Sequence, residues 1–184
     1  MIDNLVIQLE NNLRERPMKT MDPNTQRAGD EKQKSPKELY QRATIATALA
    51  SILEFSRKDQ HIKKLISDNK DMDYATLIFH NQFEQLALKI NEYSGYHQEN
   101  FKEDFNFVFG EIIKIVRHMF GIDAMAAKDY ISNQRADILS YLPGELQTGK
   151  FLHNTTIDDN TNKMHGPFSD FTHWLGQLFS TADQ

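Results

Sequence analysis

Two short patterns in this sequence have the spacing of metal ligands. His80 is followed four residues later by Glu84, and His118 is followed five residues later by Asp123. Residues i and i+4 share one face of a helix, so His80 and Glu84 would present an imidazole nitrogen and a carboxylate side by side. His118 and Asp123 would add a second pair from the end of the next helix. Four N/O ligands from facing helices suit iron or a similar metal in a bundle core. The plainer reading makes His80 and His118 flank residues, hydrogen-bonded or solvated. In a chain with 7 histidines such spacings also arise by chance.

Other chemistry is sparse. There is no phosphate loop, no Gly-rich dinucleotide turn, no G-x-S-x-G elbow and no H-E-x-x-H helix. The absence of cysteine excludes disulfides, thiol nucleophiles and cysteine-ligated zinc. Glu99, Glu103 and Glu111 could serve acid–base work near one helix, but nothing in their setting marks them. Asp158, Asn160 and Asn162 carry oxygens at the spacing that opens a calcium loop. Lys163 stands where that loop needs glycine, and Ser169 where it needs the final acidic ligand, so an Asx-rich turn is the simpler reading. The balance is against an enzyme, and no cofactor is expected.

The elements that must position these groups read as helices throughout. Between Phe101 and Phe120, apolar residues recur at 101, 105, 108, 112, 115, 116 and 119, which is helical spacing. Phe109, Ile113 and Phe120 widen that stripe, so the helix must be covered on more than one side. It is the expected centre of an all-α bundle of four to five helices. Ser35-Pro36-Lys37-Glu38 predicts a capping box and a helix running to about Ser67, with a bend near Arg57 to Gln60. Asp71 or Asp73 predicts the cap of a helix to about Tyr93, stopped by Gly95 in the left-handed position. A more polar helix is expected over 123–142, ended by Pro143-Gly144. Residues 145–166 read as a long loop anchored by Phe151, Leu152, Ile157 and Met164.

The ends carry amphipathic segments. Ile2, Leu5, Val6, Leu9 and Leu13 line one face of a short helix ahead of Pro17. Alone such a helix is marginal, so its apolar face needs the core, a partner molecule or a second copy, and packing on its own core is the plainer reading. Residues 18–34 read as a polar linker. Phe168, Phe171, Trp174, Leu175, Leu178 and Phe179 follow a polar tether, the pattern of a helix that fills a partner's groove; the plainer reading is that they fold back and cap the bundle. Three segments are therefore expected: 1–34 as helix and linker, 35–142 as the bundle, and 143–184 as loop and aromatic helix. The expected partner anchors are Leu5, Leu9, Phe168, Phe171, Trp174 and Leu175.

Charge and hydropathy narrow the partners. The 184 residues carry a net charge of −5, with Lys and Arg scattered among Asp and Glu. A duplex binder would show a basic face, so nucleic acid is not the expected partner. No apolar run approaches the ~20 residues of a membrane span. The first residues lack the basic and apolar regions of a secretory signal. A cytoplasmic protein binding another protein is the expectation, with no oligomeric state implied.

Two resemblances bear on this. The H-x3-E and H-x4-D pairs over residues 80–123 resemble the ligand spacing of hemerythrin-type di-iron proteins. That resemblance implies a metal-binding bundle with His80, Glu84, His118 and Asp123 as ligands. The family's intervening H-x3-H is absent, Glu99 and Glu103 being the nearest stand-ins, and His61 would have to be the early histidine. Secondly, the tethered amphipathic ends, the acidic cysteine-free body and the segment 143–179 look like small accessory or effector proteins of bacterial type IV secretion systems. This likeness carries no site residue across. It implies an adaptor, chaperone-like protein or effector made in the cytoplasm, with a host cell as one destination.

Overall fold

The computed structural model describes residues 4–13, 34–67 and 72–158. Among these the regular structure is helical, with no strand. The expected central helix forms as α6, Phe101–Phe120, with Phe101, Phe105, Val108, Phe109, Ile112, Ile113, Ile115 and Val116 buried. Around it lie α1 (Leu5–Leu13), α2 (Pro36–Phe55), α3 (Asp59–Ile66), α4 (Tyr74–Phe79) and α7 (Ala124–Asn133). The protein is thus an all-α bundle wrapped about α6. A stripe too wide for one seam is buried because several neighbours share it.

The start of α2 follows its sequence signal. Ser35 Oγ accepts from the Glu38 amide at 3.3 Å, and Glu38 Oε2 accepts from the Ser35 amide at 2.9 Å. Pro36 occupies the first turn, where its missing N–H costs nothing. Ala43, Ala46 and Ala50 are buried, and these small side chains let α5 (Phe83–Ser94) and α6 pack on the same helix. The expected bend falls at Ser56–Lys58 and separates α2 from α3.

Asp71, one of the two expected caps of the next helix, lies outside the described residues. Asp73 caps that helix. Its Oδ1 accepts from the Thr76 amide at 3.1 Å and from Asn106 Nδ2 at 3.2 Å; its Oδ2 accepts from Thr76 Oγ1 at 2.7 Å. Lys102 pairs with the same carboxylate at 2.7 Å, and Asn106 Oδ1 takes the Ala75 amide at 2.9 Å. The cap therefore also ties α4 to α6. Burial raises the Asp73 pKa, but the bonds from Lys102, Thr76 and Asn106 outweigh it and hold the carboxyl well below its ordinary range. A group depressed in the folded state stabilises above its unfolded pKa, and that contribution fades as pH falls. At pH 7, Asp73→Ala should cost about 1 kcal/mol in urea unfolding. The gap between wild type and variant should narrow once pH drops below about 4, near the unfolded carboxyl value.

The helix expected from Asp73 to Tyr93 is broken. A 3₁₀ turn, His80–Gln82, separates α4 from α5. His80 sits at φ 52°, ψ −124°, a region that disfavours any side chain, at a cost on the order of 1–3 kcal/mol. Neither glycine nor proline marks the break. Its result is that Phe79 of α4 and Phe83 of α5 both pack on Phe105, with ring centroids 5.5 and 5.7 Å away. Gly95 ends α5 in the left-handed conformation, as its position predicted.

After α6 the expected helix over 123–142 divides at Gln134 into α7 and α8 (Arg135–Ser140). The Gln134 Oε1 there accepts the Leu5 amide of α1 at 3.3 Å. The expected loop is structured over its described part, residues 145–158. It holds a 3₁₀ turn Gly144–Leu146, α9 (Thr148–Phe151) and a 3₁₀ turn Thr155–Ile157, with Leu146 and Ile157 buried. Asp158 takes the amides of Gly149 and Lys150 at 2.8 and 3.1 Å. A Cβ on Gly149 would stand 2.4 Å from the Asn154 carbonyl oxygen, so this knot closes only around glycine. The packed unit thus extends beyond the expected 35–142 at both ends.

Candidate functional site

The four ligands that the hemerythrin resemblance implies form no metal-ligating cluster among the described residues. His80, Glu84, His118 and Asp123 are all exposed. The 3₁₀ break puts His80 outside the helix that carries Glu84, so their i, i+4 register is lost. Asp123 caps α7, its Oδ1 accepting from the Ala126 amide at 3.1 Å. Glu99 and Glu103 are exposed, and Glu111 pairs with Lys114. Asp158, the first of the calcium-spaced oxygens, serves the amides of α9 instead.

The expected partner anchors divide. Leu5 and Leu9 are both 0% exposed, part of the core against α6. Asn4 caps α1 through the Val6 amide at 2.8 Å and reaches Asp137 at 2.7 Å. These leucines are core residues, not a free docking face; a nine-residue helix gains more from covering α6 than it could hold together alone. Phe168, Phe171, Trp174 and Leu175 lie outside the described residues.

What the structure adds is a groove between α3 and the corner joining α6 to α7. Ile62, Ile66, Ile122, Ala124 and Met125 line it, and its volume is 560 Å³. Ile62 and Ile66 are buried in the floor, whereas Ile122 is 89% and Met125 61% exposed. The corner is fixed on both sides of Ile122. Gly121 at φ 58°, ψ −119° closes α6 by donating to the Arg117 carbonyl at 2.8 Å, and Asp123 opens α7. Across the groove Lys128 of α7 bonds Asp59 of α3 at 2.6 Å, holding the two walls together. The Lys128 hydrogen bond and charge lower the Asp59 pKa. Asp59, Lys63 and Asp123 give the rim mixed charge around an apolar floor, the usual anatomy of a binding patch.

The sequence did carry a signal for this corner. Ile122 stands alone between a helix stop and a helix cap, where no core is available to a turn residue. Compared with known proteins, the chain matches no family model, no curated protein and no solved structure.

Proposed function

We propose that this protein is a non-enzymatic binding module that takes an amphipathic helix of another protein into the groove between α3 and the α6–α7 corner. The observation that carries the reading is Ile122, almost wholly exposed on a turn whose conformation Gly121 and Asp123 hold from either side. A fixed turn has little freedom left to lose on binding, so burial of its apolar side chain goes largely into affinity. Covering Ile122 and Met125 should contribute about 1.5–3 kcal/mol each. A groove between helices suits a helical ligand with anchors at i, i+3 or i+4. The likeness to secretion accessory proteins supports an adaptor, chaperone-like or effector role and indicates where to seek the partner. No helix among the described residues is long and apolar enough to cross a membrane.

The test is the double variant Ile122→Asp, Met125→Asp. Both side chains are exposed, so stability in urea should move by no more than about 0.5 kcal/mol per site. Affinity for the partner, measured by calorimetry, should fall about 100-fold or more. A partner that holds the variant as tightly as wild type would end this reading. If wild type is a dimer by light scattering and the variant a monomer, the groove belongs to a second copy instead.

A further inference from the structure

A second cleft lies beside the α2–α3 break, and its chemistry is unlike that of the groove. Arg57, Lys58, His61, His80 and His153 line it, together with Glu54, in a volume of 550 Å³. In a chain of net charge −5, five of these six groups are basic. The single carboxylate is already occupied: Glu54 takes Arg57 Nη1 at 3.1 and 3.2 Å and Asn154 Nδ2 at 2.7 Å. Arg57 makes that pair through Nη1 alone. One wall is flat and aromatic, the His61 ring stacking on Phe55 with centroids 4.1 Å apart and planes 17° from parallel. His61 Nδ1 lies 3.2 Å from the Phe55 carbonyl oxygen, which fixes the ring's orientation.

The backbone around this cleft is costly. His80 and His153 both have positive φ, 52° and 55°. The conformation of His80 at the end of α4, φ 52° and ψ −124°, is the one Gly121 adopts at the end of α6, φ 58° and ψ −119°. At the end of α6 that conformation falls to a glycine, which adopts it without steric cost. At residue 80 the chain places an imidazole in the same conformation, against the steric preference. Strain retained where glycine would relieve it points to a use for the side chain.

We infer that this cleft binds a small phosphomonoester with a planar body, of the mononucleotide kind. The phosphate is a compact dianion that accepts from several donors at once, and guanidinium, ammonium and imidazole N–H groups surround the cleft. The planar body lies against the Phe55–His61 wall, as flat rings do on aromatic faces. The volume falls within the range of small-ligand pockets. A metal is not the occupant that fits, because the three imidazoles form no ligating cluster among the described residues. This inference does not depend on the helix-binding groove, which shares none of these residues.

The test uses the full chain and adenosine monophosphate as probe, followed through the histidine ring signals in NMR. His61, His80 and His153 should shift together and saturate at millimolar probe or below. An Arg57→Ala, Lys58→Ala variant should keep its melting temperature and bind about tenfold or more weakly. His80→Gly should melt at a higher temperature and yet bind more weakly, a pairing that a merely structural histidine would not give. The assignment is overturned by the absence of saturable shifts, by unchanged affinity in the Arg57, Lys58 variant, or by a His80→Gly protein that binds as well as wild type. Adenosine alone binding as tightly as the monophosphate, or a phosphotyrosine peptide binding more tightly, would equally overturn it.

Discussion

Phe105→Ala should cost about 3–5 kcal/mol of folding stability. The side chain is fully buried, and four rings surround it: Phe79 at 5.5 Å, Phe83 at 5.7 Å, Phe109 at 5.8 Å and Phe101 at 6.2 Å between centroids. These rings come from α4, α5 and α6, so the cavity could not close by moving one element. The partners are themselves braced: Phe83 stacks on Phe101 at 5.0 Å, and Tyr74 meets Phe109 at 4.9 Å. A loss of this size is a large share of the ~5–15 kcal/mol that holds an ordinary domain together. Urea unfolding should show a lower midpoint with an unchanged slope. Phe107→Ala is the control, two residues away on the same helix but 61% exposed, and should change stability by about 0.5 kcal/mol or less. If the two variants behave alike, α6 is not the centre of the fold.

Leu9→Ala should cost about 2–5 kcal/mol, again by deletion of buried methyl groups. The expectation separates two roles for the N-terminal helix. As part of the core, Leu9 supports the whole unit: α1 packs on α6, its Leu5 amide bonds Gln134, and Gln8 Nε2 reaches Met119 Sδ at 3.7 Å. Loss of Leu9 should therefore lower the midpoint for the entire protein. Affinity for a partner, counted per folded molecule, should not change. As a docking anchor, Leu9 would do the reverse. Hydrogen exchange adds a finer readout, since faster exchange confined to α1 would mean that this helix opens independently of the bundle.

How much of this was legible in the sequence can be judged residue by residue. The capping box at Ser35, the stop at Gly95 and the apolar stripe of α6 are local signals, and each formed where its residues stand. The break at His80 was not legible, because residues 74–94 contain neither glycine nor proline and their periodicity runs straight through it. Contacts of Phe79 and Phe83 with the same ring of α6 decide that break. The division at Gln134 is similar, its side chain serving a helix some 129 residues earlier in the chain. The ordered knot at 144–158 was hidden because Asp158 and Gly149 depend on each other across a turn, and each alone looks like loop.

The candidate sites were less legible than the fold. The ligand-like spacing of His80 with Glu84 assumed one continuous helix, and that assumption failed at His80 itself. His61, His80 and His153 share a cleft only because α3, the end of α4 and the segment after α8 are folded against one another. Ile122 could have been singled out, but Ile62 and Ile66, which make a floor beneath it, come from a separate helix.

The order of hydrophobic and polar residues by itself determined that this protein is helical, that Phe101–Phe120 lies at its middle, and where α2 begins and α5 ends. These outcomes rest on interactions within a few residues, which the order of residues states directly. Only the tertiary structure decided that α1 is sealed into the core, that α4 and α5 are separate, and which exposed groups stand together. Those outcomes depend on free energies shared between segments distant in the chain, where a local preference is overruled whenever packing against a neighbour contributes more than the strain it imposes.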